Sequence, residues 1–258
     1  MENNLNIIGV IPARHESTRL PYKLLRSIRG KSLLQWTWEN AALAHNLDKL
    51  IIACDHPQLK KEAEKFGAEA ILTSPKHSSG TDRIAEAVRD IEAKIVVNIQ
   101  ADEPLINHSI IDRLVQEMLA DPDLVMATVK KRIDKREEVN NPNVVKVITT
   151  REDFAVYFSR HPVPFYRRTE SSPYSLESET ASGEVYYKHL GIYVYTKDFL
   201  YTFKNLPVSV LEKAEKLEQL RAIEAGYKIK VIETKFDSCG VDTEEDLQEV
   251  ERILAGRE

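Results

Sequence analysis

The chain is short of cysteine, of long apolar runs and of excess charge of either sign, and each shortage removes a class of protein. There are two cysteines in 258 residues. Cys54 and Cys239 have no metal-ligand spacing and build no disulfide framework, so free thiols in a reducing cytosol are expected. No apolar run approaches the ~20 residues that span a bilayer. The opening MENNLN is polar and carries no basic segment. Ile7 to Ala13 is too short for a signal-peptide core and contains Pro12, so no secretory signal and no membrane insertion are expected. Lys and Arg total 36 against 41 Asp and Glu, a net charge of −5. That balance argues against a general nucleic-acid binder while allowing a local basic site. There is no internal repeat and no linker rich in Pro and Gly. What the chain does have is 42% apolar residues, enough for a sizeable core.

Apolar periodicity divides the chain into alternating short and long elements. Asn6–Ile11, Leu50–Cys54, Ala70–Leu72, Lys94–Ile99 and Leu124–Val129 read as strands. Ser32–His45, Pro57–Phe66, Thr81–Asp90 and Ser109–Ala120 read as helices, the second ending at Gly67. This alternation predicts an α/β fold, a mostly parallel mixed sheet flanked by helices. Beyond residue 140 the pattern changes. Val144–Thr149 and Phe154–Phe158 read as a hairpin with a polar tip, residues 167–184 as a surface loop, and Tyr187–Tyr195 as a strand. A helix is predicted from the capping box Ser209-x-x-Glu212 to Gly226, then a strand at Lys228–Glu233. A C-terminal helix opens at Thr243-x-x-Asp246. One domain with an inserted β-rich lid or dimerisation subdomain at about 140–206 is expected.

In such a sheet ligands bind beyond the carboxyl ends of the strands. The first strand leads into Pro12-Ala13-Arg14-His15-Glu16-Ser17-Thr18-Arg19-Leu20-Pro21-Tyr22-Lys23. Its three cations, Arg14, Arg19 and Lys23, suit a polyphosphate cradle, and they equally suit a solvated basic loop. It is neither a Walker loop nor a GxGxxG turn. Asp102 after the fourth strand and Asp242 after the last could converge on Mg²⁺, an ion that prefers oxygen ligands. A turn-forming or helix-stabilising Asp accounts for each just as simply. Ser78-Ser79-Gly80-Thr81-Asp82-Arg83 is a helix start whose N–H groups could meet a phosphate or base. His189 in a strand reads as structural, and Glu218 and Gln219 as a solvated helical face. No Ser-His-Asp or Cys-His arrangement offers a covalent nucleophile.

Eight stretches taken together resemble one family. IPARHESTRLPYK, HSSGTDRIAEAV, VVNIQADEP, NPNVVKV, FAVYFSRHPVPF, YKHLGIYVY, EKLEQLRAIEAG and GVDTEEDL follow the order found in 3-deoxy-manno-octulosonate (Kdo) cytidylyltransferases and span nearly the whole chain. The resemblance implies a nucleotide-diphospho-sugar transferase type of fold and a homodimer. It also implies the reaction of Kdo, an acidic eight-carbon sugar, with CTP to give CMP-Kdo and pyrophosphate, with Mg²⁺ as cofactor. CMP-Kdo would then serve the lipopolysaccharide inner core. Carried over residue by residue, Ala13, Arg14, Lys23, Gly80, Thr81, Arg83 and Gln100 fall on the nucleotide side. Asp102 and Asp242 fall on the metal. Gln100, Arg160, Arg167, His189, Glu218 and Gln219 fall on the sugar side, with Arg160 the cation for the sugar carboxylate. Arg14, Lys23, Asp102 and Asp242 form the expected catalytic set.

Two positions depart from the family pattern. Tyr22 and Ala101 stand where the family usually has glycine. Tyr22 is expected to keep a negative φ with its ring turned away from the triphosphate, leaving Lys23 its phosphate role. Arg160, His189 and Gln219 are expected to line one cavity opposite the nucleotide. Related readings are a cytidylyltransferase for an 8-amino Kdo analogue or another acidic sugar, and a catalytically weak CTP-binding homologue. A glycosyltransferase is a third reading.

Overall fold

The computed structural model describes residues 7–167 and 185–256. The first half of the chain supplies β1 (Ile7–Ala13), a 3-10 turn (Lys23–Leu25), β2 (Ser27–Ile28), β3 (Lys31–Ser32), α1 (Leu33–Ala41), β4 (Lys49–Cys54), α2 (Pro57–Lys65), β5 (Glu69–Leu72), α3 (Gly80–Ala87), β6 (Ile95–Asn98), α4 (His108–Ala120) and β7 (Met126–Arg132). There follow α5 (Arg136–Asn140), β8 (Lys146–Thr149), β9 (Ala155–Ser159), β10 (Tyr187–Thr196), α6 (Lys197–Asn205), α7 (Val210–Glu215), α8 (Leu220–Glu224), β11 (Lys230–Thr234) and α9 (Glu244–Ala255). These fall into two compact units. The first comprises the described residues of 1–127, 191–205 and 236–258, the second those of 128–190 and 206–235.

In the first unit β1 is the central strand, parallel to β4 on one side and β6 on the other. β4 continues in parallel to β5. The Gly191–Thr196 part of β10 runs antiparallel to β6, pairing Tyr193 with Asn98. The sheet is thus mixed and mostly parallel. Val10, Ile11, Ile51, Ile52, Val96 and Val97 are fully buried, as expected of strands covered on both faces. Each such side chain contributes roughly 1.5–3 kcal/mol of burial. Gly9 leaves room for the ends of Leu47 and Leu50, since a Cβ there would lie 2.8 Å from a terminal methyl of each and they would have to shift. Helix starts follow the local sequence. Ser79 caps α3 by accepting from the Asp82 N–H, and Thr243 and Asp246 form a reciprocal capping box on α9.

In the second unit β8 and β9 form an antiparallel hairpin that pairs Val147 with Phe158, with a bulge at Ile148/Thr149. Asp153 in its tip has φ 60° and accepts from the Lys130 ammonium at 2.8 Å. β10 joins β8 through the Lys188–Lys146 pair.

The segment read as one helix from Ser209 to Gly226 is two. α7 ends at Glu215, Lys216 turns left-handed at φ 55°, and α8 begins at Leu220. The Arg160 guanidinium takes the carbonyl oxygens of Glu215 (2.7 Å) and Lys216 (3.5 Å), acceptors that a continuous helix would have used internally. α6, for which the sequence pattern gave no element, buries Phe199, Leu200 and Phe203 at helical spacing. The expected loop at 168–184 lies outside the described residues.

Candidate active site

The carboxyl ends of β1 and β6, the loop before α3 and the segment before α9 meet at a cavity of about 380 Å³ in the first unit. Its lining includes Arg14, Arg19, Lys23, Ser78, Ser79, Gly80, Arg83, Gln100, Asp102 and Asp242. The 3-10 turn that follows β1 aims Lys23 into it. The Lys23 ammonium donates to Asp102 Oδ2 at 2.7 Å and to Asp242 Oδ1 at 3.0 Å. Arg19 holds the other oxygen of Asp242 at 2.8 Å. The two carboxylates therefore face one positive group, although they lie far apart in sequence. A backbone bond enforces the approach: the Val241 N–H donates to the Asp102 carbonyl oxygen at 2.9 Å. The Lys23 side chain is largely buried, whereas both carboxylates remain open to solvent on one side. A cavity lined by four Lys and Arg side chains and three acids is suited to a polyanion whose charge must be neutralised during reaction.

The helix start of α3 forms another wall. Gly80 lines the cavity, and a Cβ there would sit 3.4 Å from Pro12 Cγ. Thr81 is buried and Ala13 is fully buried, so both support the wall from behind. Gln100 donates its amide to the Gly191 carbonyl oxygen at 2.9 Å, which fixes its orientation on the lining. Arg83 also lines the cavity, yet its guanidinium is committed to Thr73, Ser74 and Asp55.

Tyr22 corrects an expectation. Its φ is +53° and ψ 33°, a left-handed conformation and not the negative φ expected of a bulky aromatic side chain. The reason is tertiary. The chain reverses at this point to bring Lys23 inward to Asp102 and Asp242, a demand that glycine would meet without a Cβ clash. Tyr22 is 56% exposed, its ring packs 4.9 Å from the His15 ring, and the residue is not part of the cavity lining. Ala101, the other departure, has no positive φ. It is buried, and its carbonyl oxygen accepts from Thr37 at 3.0 Å.

The remaining candidates sit in the second unit. Arg160, at the end of β9, gives its guanidinium to the carbonyls of Pro142, Glu215 and Lys216. His189, in β10, meets Thr128 Oγ1 through Nε2 at 2.9 Å and lies edge-on to Phe158. Burial pushes its imidazole pKa down to about 3. Gln219 is buried at the start of α8, and Glu218 precedes it 3.9 Å from Arg221. Arg167 is exposed at the edge of the described residues.

Three residues, His77 in the cavity lining and Asp55 and Glu103 behind it, are not among the candidates that the sequence singles out. Asp55 follows β4 as Asp102 follows β6, so the same strand-end logic marks it. His77 lines the cavity and bonds Glu86, whose carboxyl is held below its usual range first by the Ser74 N–H and then by His77. Glu103 is buried beside Asp102, and desolvation first, then the Asp102 charge, raises its pKa to about 8.

The fold and this cavity define a nucleotidyl-transferring α/β protein, and comparison with known proteins narrows the class. The cytidylyltransferase family model matches residues 8–229. A 3-deoxy-manno-octulosonate cytidylyltransferase of Solibacter usitatus is 48% identical, over 96% of this chain and 94% of its own length. One from Syntrophobacter fumaroxidans is 46% identical, over 97% and 98%. A solved structure of CMP:2-keto-3-deoxy-manno-octonic acid synthetase complexed with CTP superposes with a TM-score of 0.89 and 37% identity, covering 98% of this chain and all of that one. The chain belongs to the 3-deoxy-manno-octulosonate cytidylyltransferase family.

Proposed function

We propose that this protein joins CTP to 3-deoxy-manno-octulosonate, giving CMP-Kdo and pyrophosphate for the lipopolysaccharide inner core. The observation that supports it most is the meeting of Asp102, Asp242 and Lys23 at one edge of a cavity lined by Arg14 and the start of α3. The anomeric hydroxyl oxygen of the sugar forms a bond to the α-phosphorus. The bond from that phosphorus to the bridging oxygen of the β-phosphate breaks. Pyrophosphate leaves with the bond pair, and the hydroxyl proton passes to solvent. No covalent enzyme intermediate is needed.

The acids fit a hard divalent cation. Two carboxylates converge on a single positive group, and phosphate oxygens and water would complete an oxygen shell. Asp102 and Asp242 would hold Mg²⁺, which supplies charge neutralisation at the phosphates when bound. Arg14 and Lys23 orient the triphosphate and screen its charge, so that a neutral hydroxyl can approach. Ala13, Gly80, Thr81, Arg83 and Gln100 shape the nucleotide side. Arg160, Arg167, His189, Glu218 and Gln219 are the proposed sugar-side residues. A homodimer in the cytoplasm completes the reading. No helix among the described residues is long and apolar enough to cross a membrane.

The test is pyrophosphate release with CTP and Mg²⁺ over a panel of acidic sugars. Kdo is expected to support turnover well above an 8-amino analogue or a nine-carbon acid. Release with another acidic sugar and none with Kdo would replace the proposed substrate. No release with any sugar would favour the weak-binder reading.

A further inference from the structure

Asp55 stands one residue beyond β4, outside the cavity lining, with its side chain 9% exposed. Its two carboxylate oxygens serve two different walls. Oδ1 accepts the His15 backbone N–H at 2.8 Å, in the loop that carries Arg14. Oδ2 accepts from Arg83 Nη2 at 3.1 Å, on the helix whose first residue is Gly80. The same guanidinium donates through Nη1 to Thr73 Oγ1 at 2.7 Å and to the Ser74 carbonyl oxygen at 3.4 Å, so it also fastens the loop leading into α3. Arg14 and Gly80 both line the cavity. One buried carboxylate thus spans the distance between the phosphate loop and the start of α3. A buried ion pair with all its oxygens used holds its geometry tightly, because loosening either bond strands a charge away from water.

We propose that Asp55 is a positioning residue that sets the width of the nucleotide cavity by tying the His15 amide to Arg83. The inference rests on reading that cavity as the CTP site. An asparagine at this position can accept from only one of the two donors and turns an N–H₂ toward the other. The two walls then lose their common anchor, and nucleotide affinity is the property that should suffer.

The experiment measures CTP binding by titration calorimetry, together with steady-state kinetics, for wild type and Asp55→Asn. The expected result is a Kd and KM for CTP about tenfold higher, corresponding to loss of a charge-assisted contact. The kcat should stay within about twofold and the KM for Kdo should not move. A purely structural role would lower kcat through a smaller active fraction and leave the CTP constants unchanged, which would overturn the inference. Failure of the wild type to bind CTP would instead remove the reading beneath it and the inference together. If Asp55→Asn folds too poorly to assay, Arg83→Gln probes the same carboxylate from the other side. It is expected to speed hydrogen exchange at the His15 amide while exchange in β4 stays slow. Unchanged protection of His15 would overturn the coupling.

Discussion

The Val241 amide is bonded to the Asp102 carbonyl oxygen at 2.9 Å, and this backbone contact places Asp242 beside Asp102 without help from either side chain. The acidic pair is therefore built into the backbone, and its substitution should change chemistry more than folding. Asp102→Asn and Asp242→Asn are each expected to lower kcat by about 100-fold or more, the scale seen when a preorganised charge is removed. The Kd for CTP should rise only a few-fold. A loss of CTP binding equal to the loss of turnover would contradict the catalytic assignment.

Lys23 separates two like charges in the free protein. Lys23→Ala leaves them facing each other and should lower stability by about 1–2 kcal/mol, moderated by the solvent exposure of both acids. For a chain of this size that is a Tm decrease of about 2–8 °C. Millimolar Mg²⁺ should restore more of the Tm in the variant than it adds to the wild type. Equal Mg²⁺ responses in the two would argue against a cation site between the acids.

Tyr22 sits at φ +53°, where a side chain costs roughly 1–2 kcal/mol relative to glycine. Glycine gives back part of that as unfolded-chain entropy, about 0.5–1 kcal/mol. Tyr22→Gly is therefore expected to stabilise the protein by about 0.5–1 kcal/mol in thermal or urea melts, with kcat little changed. A clear drop in Tm would mean that the ring contact with His15 outweighs the backbone strain.

His189 remains neutral in the folded chain until about pH 3. In the unfolded chain it protonates near pH 6.5. Between those values the unfolded state binds the extra proton, so this residue's contribution to stability is present above pH 6.5 and falls as pH drops toward 3. His189→Gln removes that proton uptake. The variant's Tm should fall less steeply than the wild type's between pH 6.5 and 4, and parallel curves would refute the depressed pKa.

Arg160 is bound to three carbonyl oxygens, including the two at the α7–α8 break. Arg160→Ala should cost roughly 1–3 kcal/mol of stability through stranded acceptors. If it also meets the sugar carboxylate, the KM for Kdo should rise while that for CTP holds. Equal rises would make it a structural arginine alone.

The α/β core was legible in the sequence because buried parallel strands read as short apolar runs and the helices carry caps such as Ser79 and Thr243. The acidic pair was legible because strand ends position ligands in open sheets. The break at Lys216 was not legible. It depends on a guanidinium from β9, a contact that local periodicity around 209–226 does not register. The left-handed Tyr22 was misread for a related reason. The demand to point Lys23 at two acids comes from tertiary placement, and it overrode the preference of an aromatic residue for negative φ. Asp55 is marked as a candidate by its place after β4, but its bonds to both the His15 amide and Arg83 emerge only once β1, β4 and α3 are packed together.

The cytidylyl group is proposed to pass directly from CTP to Kdo. Phosphorus NMR of the protein with CTP, Mg²⁺ and Kdo tests it most directly. The three CTP resonances are expected to decay in step with equal growth of pyrophosphate and one new phosphodiester signal, and only when Kdo is present. Unchanged CTP in the complete mixture, or release of inorganic phosphate in place of pyrophosphate, would contradict the account.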